Sequence, residues 1–569
     1  YVKFIRFAQW RIQQTGSGIL AFITDHGFLR NPTFRGMRHQ LISAFSDIYV
    51  LDLHGGSRKQ ELSPDGTPDE NVFDIQQGVS IAFFVRDGSR TGGARVYHAD
   101  LWGTRSVKYS WLESHDVSTT CWTSVDARPP DYEFVPIDID AESEWRQGWP
   151  LNEAFLVNSI GMNTHRDALV IDFDVAVLQR RIDELADPRF SDEEIKQRQL
   201  RPQDSLSLGE ARRALQQDPS RSRSIIKCLY RPFDERFLFY HRAVIDRGRF
   251  DVNRHMLKDN ISLVTTRQTK EPFAALATRL VCGQHKITAR YDGSYFFPLY
   301  LYPEDGNDFV SPAIVRSESL KRASLSPVDA GRDRLEGEIR ELVGKLYPGE
   351  RYSRLPNFDP RFVADLAQRV GLTYVGDGRG DLELSFGPED AFHYVYSVFH
   401  APSYRTRYRE LLNRDFPRIP LTSNRDLFRT LCHLGADLAA VHLLEDNYPA
   451  ASWTRAGQPS PFAQPITRYP VTGSNEVGRE YPKFVASADA PESGRVYINR
   501  DQYFEGVPTE VWEFQVGGYQ VCERWLKDRR GRRLTYDDLI HYQRVIVALS
   551  ETIRLMNEID AAIPSWPIQ

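Results

Sequence analysis

The first 112 residues alternate helix-patterned and strand-patterned stretches, and this alternation limits the possible folds more than any other feature of the sequence. "YVKFIRFAQWRI" spaces its apolar residues as a helix does, and "GILAFI" (18 to 23) reads as a short buried strand. "FRGMRHQLISAF" then reads as a second helix and "DIYVLDL" as a second strand. A polar loop, "HGGSRKQELSPDGTPDEN", leads to "VFDIQQGVSIAFFVRD" and "ARVYHADLWG", which read as a late hairpin. Strand, helix, strand and hairpin in that order predict the back half of a doubly wound α/β sheet, a fold whose ligands sit outside the carboxyl ends of the strands. On this reading the front half, with the glycine-rich turn that holds a ligand, lies upstream of Tyr1.

Past residue 112 the pattern changes. Residues 113 to 330 are irregular and aromatic, with strand-like runs "DALVIDF", "FLFYHRAVI", "NISLVTTRQ" and "SYFFPLYLY" cut by Gly, Pro and Asp turns. Within them, 176 to 216 reads as helical and highly charged, and 311 to 360, rich in Ser, Pro, Arg and Glu, as a connector with one helix. Helical segments follow at 389 to 413 and 425 to 445, then loops and strands over 446 to 534. Thr535 caps a last helix in which Tyr542, Ile546, Leu549, Ile553 and Met556 form a stripe suited to core packing. A chain of 569 residues exceeds a single core, and these shifts divide it into 1–112, 113–330 and 331–569. The first is half of an α/β sheet; the other two form a mixed α+β region whose second part is helix-rich.

No apolar run approaches the roughly 20 residues that span a bilayer, and no signal-peptide pattern opens the chain, so a cytoplasmic location is expected. Five cysteines, at 121, 228, 282, 432 and 522, form no CxxC pair, which predicts buried, reduced thiols and neither a zinc knuckle nor a disulfide framework. The net charge of -5 is unremarkable, but residues 196 to 250 hold 13 Lys and Arg against six Asp and Glu. Such a local excess suits either phosphate contact or an ordinary solvated surface.

The tetrapeptide Asn31-Pro32-Thr33-Phe34 is one substitution from the Asn-Pro-Pro-aromatic site of amino-group DNA methyltransferases. That motif directly follows a strand, whereas "TDHGFLR" separates this one from "GILAFI". Asn31 reads instead as a helix cap, with Pro32 and Thr33 in the first turn. There is no GxxxxGK[ST] phosphate loop, since "GEIRELVGK" has the wrong spacing and lacks the hydroxyl residue, and no HExxH. Gly517-Gly518-Tyr519 reads as a tight turn packed against Trp512 and Trp525 and not as a phosphate cradle, because no helix start directly follows it.

The order "YVKFIRFAQWRI…GSGILAFITDHGFL…FRGMRHQLISAFSDIYVLDLHG…ENVFDIQQGVSIAFFVRDG" resembles the second half of the catalytic domain of gamma-class DNA adenine methyltransferases. Further on, "NSIGMNTHRDALVIDF", "IIKCLYRPFDERFLFYHR", "AFHYVYSVFHAPSYRTRYRELLNRDFPRIPL" and "GRVYINRDQYFEGVPTEVWEFQVGGYQVCERWLKDRRGR" resemble the C-terminal specificity region of Type ISP (LlaBIII-like) restriction-modification enzymes. The resemblance implies a Rossmann-like methyltransferase half-sheet over 1–112 and a target-recognition region over 113–569. It implies site-specific methylation of the adenine amine, with S-adenosylmethionine and the catalytic tetrapeptide held upstream of Tyr1 and no metal in this chain. Double-stranded DNA is the implied partner, with a helicase-like motor and a nuclease elsewhere in the same polypeptide. By the same resemblance Phe73, in "NVFDIQQGVS", stacks on the flipped adenine; read from the residues alone, it covers a sheet edge equally well.

For target reading, arginine and lysine are the expected guanine and phosphate partners. The candidates are Arg166 in "NTHRDA", Arg231 and Arg236 in "YRPFDER", and Arg267 and Lys270 in "TTRQTKEP". Arg166 with Asp167, and Arg231 with Asp234, could equally form local ion pairs that shape turns. The alternative for the whole chain is a non-catalytic DNA-binding specificity subunit.

Overall fold

The computed structural model describes residues 1–56, 63, 67–88, 92–136, 138–201, 204–269, 271–303 and 353–568. Two compact units divide the chain, Tyr1–Ser143 and Glu144–Gln569.

The first unit runs α1 (Val2–Thr15), β1 (Gly18–Asp25), α2 (Arg35–Ala44), β2 (Asp47–His54), β3 (Val79–Arg86), β4 (Arg95–Asp100), α3 (Arg105–Ser114) and β5 (Thr123–Val125). Its sheet has the order β1-β3-β2-β4-β5. β3 is antiparallel to both β1 and β2, so those two run the same way with α2 between them in sequence, and β2 is parallel to β4. The expected late hairpin is therefore not formed: β3 and β4 lie on opposite sides of β2. The reason is legible in "VSIAFFV", a run apolar on both faces, which is the pattern of an interior strand and not of an edge hairpin. One face of the sheet packs Leu20, Ile48, Val50 and Phe84 with Ile5 of α1 and Leu41 of α2. The other packs Leu51, Leu53, Val79 and Ala99 with Trp111 and Leu112 of α3. Helices on both faces make this an α/β unit.

The Asn31 tetrapeptide starts a helix, as its context predicts. The Asn31 side chain accepts the Thr33 N–H at 2.9 Å and caps a short 3-10 turn, Pro32–Phe34, that runs into α2. Arg38, fully buried, donates to the carbonyls of Phe28, Asn31 and Asp131 and clamps the turn in place.

The second unit contains two four-stranded sheets. Their strands are β6 (Ser159–Ile160), β7 (Ile171–Asp172), β8 (Ile225–Arg231), β9 (Asp234–Phe239), β10 (Ser262–Thr266), β11 (Ala275–Thr278), β12 (Val281–Cys282) and β13 (Ser294–Pro298). The orders are β12-β8-β9-β7 and β11-β10-β13-β6. "DALVIDF" is less strand-like than expected: Asp167–Val170 is a helical turn and only Ile171–Asp172 is strand. The charged stretch forms three helices, α4 (Val175–Ala186), α5 (Asp192–Gln199) and α6 (Leu208–Gln217). Of the expected connector, residues 311–352 lie outside the described residues.

The helical core joins α7 (Pro388–His400), α8 (Arg425–His442) and a terminal helix described below. Gly435 of α8 lets the two backbones meet, since a Cβ there would fall 1.9 Å from the His393 carbonyl oxygen of α7. A seven-residue helix, α9 (Val521–Lys527), does follow the Gly517 turn, contrary to the sequence reading. Gly517 has a positive φ of 58°, and Tyr519 lies under the Arg231 guanidinium. The last helix, α10 (Tyr536–Ala562), has the expected Thr535 cap, completed by Asp538 as a capping box. Tyr542, Ile546 and Leu549 are fully buried. All five cysteines are free, but Cys121 is exposed where a buried thiol was expected. Among the described residues no helix is long and apolar enough to cross a membrane.

Candidate functional site

Phe73 sits in the connection between β2 and β3, just beyond the carboxyl end of β2, with its residue 42% exposed. The segment carrying it is fixed almost atom by atom. Asn71, buried, donates its amide to the carbonyls of Gly55 (3.0 Å) and Gln77 (2.6 Å) and accepts the Phe73 N–H at 2.8 Å. Gly55 is required by this approach, because a Cβ would fall 2.4 Å from Asn71 Cα. From α3, Arg105 donates to the carbonyls of Asn71 and Phe73, and Tyr109 to that of Val72.

Beneath the loop lies a buried ion pair. Lys108 Nζ, fully enclosed, donates to Asp69 Oδ1, Leu53 O and Glu70 O, each at 2.7 Å. All three ammonium protons are used, and Asp69 also accepts the N–H groups of Gly55 and Gly103. A buried pair is tolerated when its hydrogen bonds are complete in this way. The chemical result is a rigid backbone that presents an apolar ring to solvent, the opposite of the usual preference.

Next to it, the strand ends gather imidazoles and carboxylates. His26 Nδ1 donates to Asp52 Oδ1 at 2.9 Å, and His54 Nε2 to Asp100 Oδ1 at 2.8 Å. His54 adopts a positive φ of 52° and stacks on Trp102 at 3.4 Å between centroids. Burial pushes Asp52 up, but the His26 hydrogen bond and the charges of His26 and His54 outweigh it and hold the carboxyl well below its ordinary range. Burial lowers His98, against the pull of Asp100 and Asp52. The sequence reading passed over this cluster. Its signal is a mirrored pair, Asp52-x-His54 closing β2 and His98-x-Asp100 closing β4, polar residues two apart at the carboxyl ends of neighbouring strands.

The structure does not bring the predicted DNA-reading residues together with Phe73 in one unit; all lie in the second. Arg166 is buried and grips Asp204 with Nε (3.1 Å) and Nη2 (2.9 Å), and donates to Val244 O. Arg231 pairs with Asp528 at 2.6 Å, and Arg236 bridges Asp234 (2.7 Å) and Asp528 (2.9 Å) while stacked 3.7 Å from the Tyr230 ring centre. Arg529 closes the ring of charges on Asp234 at 2.9 Å. Burial pushes Asp528 up, but Arg231 and its neighbours hold it below its ordinary value. Ion pairs thus form, though Arg166 and Arg231 take distant partners instead of the adjacent Asp167 and Asp234. Arg267 differs: it is exposed, and its pair with Asp415 at 3.0 Å is exposed on both sides. Lys270 lies outside the described residues.

A family model, the Type ISP C-terminal specificity domain, matches residues 153–558, most of the second unit. The chain belongs to this family. Solved structures similar to this Type ISP chain include three DNA complexes. One is the cryoEM structure of a DrdV–DNA complex, at 18% identity and a TM-score of 0.62, covering 98% of this chain and 51% of that one. A second is the ATP-dependent Type ISP restriction-modification enzyme LlaBIII bound to DNA, at 18% identity and 0.61, covering 100% and 34%. The third is a nuclease-deletion mutant of the Type ISP enzyme LlaGI in complex with a DNA substrate mimic, at 17% identity and 0.61, covering 99% and 40%. The Type ISP chain thus spans about a third to a half of the length of these proteins. No curated protein sequence matches it.

Proposed function

We propose that this Type ISP chain recognises a specific duplex DNA sequence and contributes the base-stacking side of an adenine methyltransferase. The observation that carries the reading is the specificity-domain match over 153–558; the DNA-bound relatives of the same fold support it.

In this proposal the first unit is the back half of a methyltransferase sheet. Its parallel β1, β2 and β4 with β3 inserted in reverse support that reading. In open α/β sheets ligands bind outside the carboxyl ends of the strands, the side on which Phe73 follows β2. An adenine drawn out of the duplex loses its stacking, and the exposed ring of Phe73, held on a backbone that cannot retreat, replaces one face of it. S-adenosylmethionine would supply the methyl group. Among the described residues the strand ends of the first unit offer imidazoles, carboxylates and Phe73, with no glycine-rich turn opening onto a helix. The cofactor is therefore assigned to no residue of this chain, and the sequence holds no Asn-Pro-Pro-aromatic tetrapeptide.

In the second unit we assign Arg166, Arg231 and Arg236 to the framework, since their charges are buried and already paired. Arg267 is assigned to the DNA. An exposed ion pair such as Arg267–Asp415 is worth about 0–1 kcal/mol, so its guanidinium is easily transferred to a phosphate.

The chain alone is expected to bind duplex DNA and to leave it unmethylated when given labelled S-adenosylmethionine. Robust labelling of DNA by the 569-residue chain would contradict the division of labour proposed here. A second reading, a non-catalytic specificity module, is favoured by one observation: the family match begins at 153, beyond the first unit. Phe73→Ala in the complete enzyme separates the two, since unchanged methylation would leave the first unit without a stacking role.

A further inference from the structure

The carboxyl ends of β1, β2 and β4 place His26, Asp52, His54, His98 and Asp100 together through strand register. β2 and β4 pair in parallel with Asp52 opposite Asp100. The two-residue period of a strand puts His98 on the face of Asp100. An irregularity between Asp52 and His54, with His54 at a positive φ of 52°, brings His54 Nε2 to 2.8 Å from Asp100 Oδ1. In each of the groups His26–Asp52–His54 and Asp52–His98–Asp100, one ligating atom per residue lies within 4.8 Å of the others, and Asp52 belongs to both. Among the described residues the ion-pair partners of these two carboxylates are histidines, and neither carboxylate pairs with a Lys or Arg.

A second observation points to a ligand. The His98 side chain is 3% exposed and faces Asp100 at 3.7 Å, yet neither of its ring nitrogens makes a hydrogen bond. Buried polar groups ordinarily have a partner, and an imidazole with two idle nitrogens at a carboxylate-rich strand end is a candidate metal ligand.

We propose that this cluster binds one divalent transition-metal ion of the zinc class, held by His26, Asp52 and His54, with Asp100 and His98 completing the shell. Imidazole and carboxylate donors suit this class, whereas calcium and magnesium call for all-oxygen shells that the cluster does not offer. Asp100, whose side chain is 45% exposed, provides the way in. The ion would tie the three strand ends together next to Gly55, which follows His54 in the chain and whose carbonyl anchors Asn71 and with it the Phe73 loop. The site is independent of the methyl-transfer reading, because it is read out by metal content.

The probe is Co2+, whose visible bands report its coordination. Titration of the metal-stripped 569-residue chain is expected to give saturable bands at one equivalent that Zn2+ abolishes. Asp52→Asn and His54→Gln, checked for folding by circular dichroism, are expected to lose those bands. No saturable band in the unaltered chain overturns the proposal, as does an undiminished one-equivalent band in both folded variants. If neither variant folds, X-ray absorption of the unaltered zinc-loaded chain decides. A shell with scattering from two or more imidazoles supports the site, and an oxygen-only or sulfur shell overturns it.

Discussion

At the scale of single residues, two kinds of side chain matter here: one exposed against its nature and several charged ones buried against theirs. Phe73 is the first kind. Because its ring packs little and its backbone is held by Asn71, Arg105 and Tyr109, Phe73→Ala is expected to leave thermal stability unchanged. In the complete enzyme it is expected to weaken engagement of the flipped base by about 1–3 kcal/mol, roughly 5- to 150-fold in methylation at limiting DNA. A variant that loses stability and methylates normally would reverse that assignment. The arginines around Asp528 are the second kind. Asp528→Ala strands Arg231 and Arg236 without their shared carboxylate and is expected to cost about 3–5 kcal/mol, read as a lower urea midpoint. The chemistry of Arg231 was legible in the sequence, since ion pairing was one of its two readings, as it was for Arg166; Arg236 carried no such alternative. The partners were not legible: Asp528 lies 297 residues from Arg231, a contact only the fold can make. The His and Asp pairs of β2 and β4 were in plain view as D-x-H and H-x-D, but became a cluster only once the two strands were found to be parallel neighbours.

At the scale of elements, α3 works as a clamp on the Phe73 loop through Lys108. Lys108→Met is expected to leave Asp69 buried without its partner, to destabilise the first unit by about 3–5 kcal/mol and to raise hydrogen exchange across residues 69–77. Exchange unchanged over that segment would show that the loop is held by Asn71 and Arg105 alone. The helices of the second unit carry a different liability, neutral buried histidines. Burial pushes His255 and His393 down to about 3 and His400 well below its ordinary value. Their folded pKa values lie below the unfolded value near 6.5, so the stability they contribute is complete above pH 6.5 and is lost as the pH falls toward 3. Each costs about 1.4 kcal/mol per pH unit in that window. Asp390, pushed up to about 6 by burial, and Glu271, Glu389 and Asp437, also pushed up by burial, oppose them. Burial lowers His433, His442 and His541 as well, so among the described residues of the second unit the lowered histidines outnumber the raised carboxyls six to four. The urea midpoint of the chain is expected to drop steadily from pH 6.5 to pH 5; a flat profile would contradict neutral burial. Among these elements the sequence made the capped, periodic helices plainest, α10 above all. The position of β3 was misjudged because a hairpin and an inserted strand share the same local pattern, and only pairing on both edges tells them apart.

At the scale of the whole molecule, the α/β character of the first unit and the mixed, helix-rich character of the second follow from patterning alone, while the Type ISP assignment rests on long motifs that no periodicity could supply. DNA recognition is the property that gives the two units a common purpose in this account. Arg267→Ala is expected to weaken DNA binding similarly for all sequences and to reduce the salt dependence by about one ion, as loss of a phosphate contact does. The most direct test of the central claim is selection of DNA by the 569-residue chain from a random duplex pool, with affinities then measured at a fixed salt concentration. The account predicts that one short sequence is enriched and bound roughly a thousandfold or more tighter than unrelated duplex. Equal affinity for all sequences, or no binding at all, would contradict it.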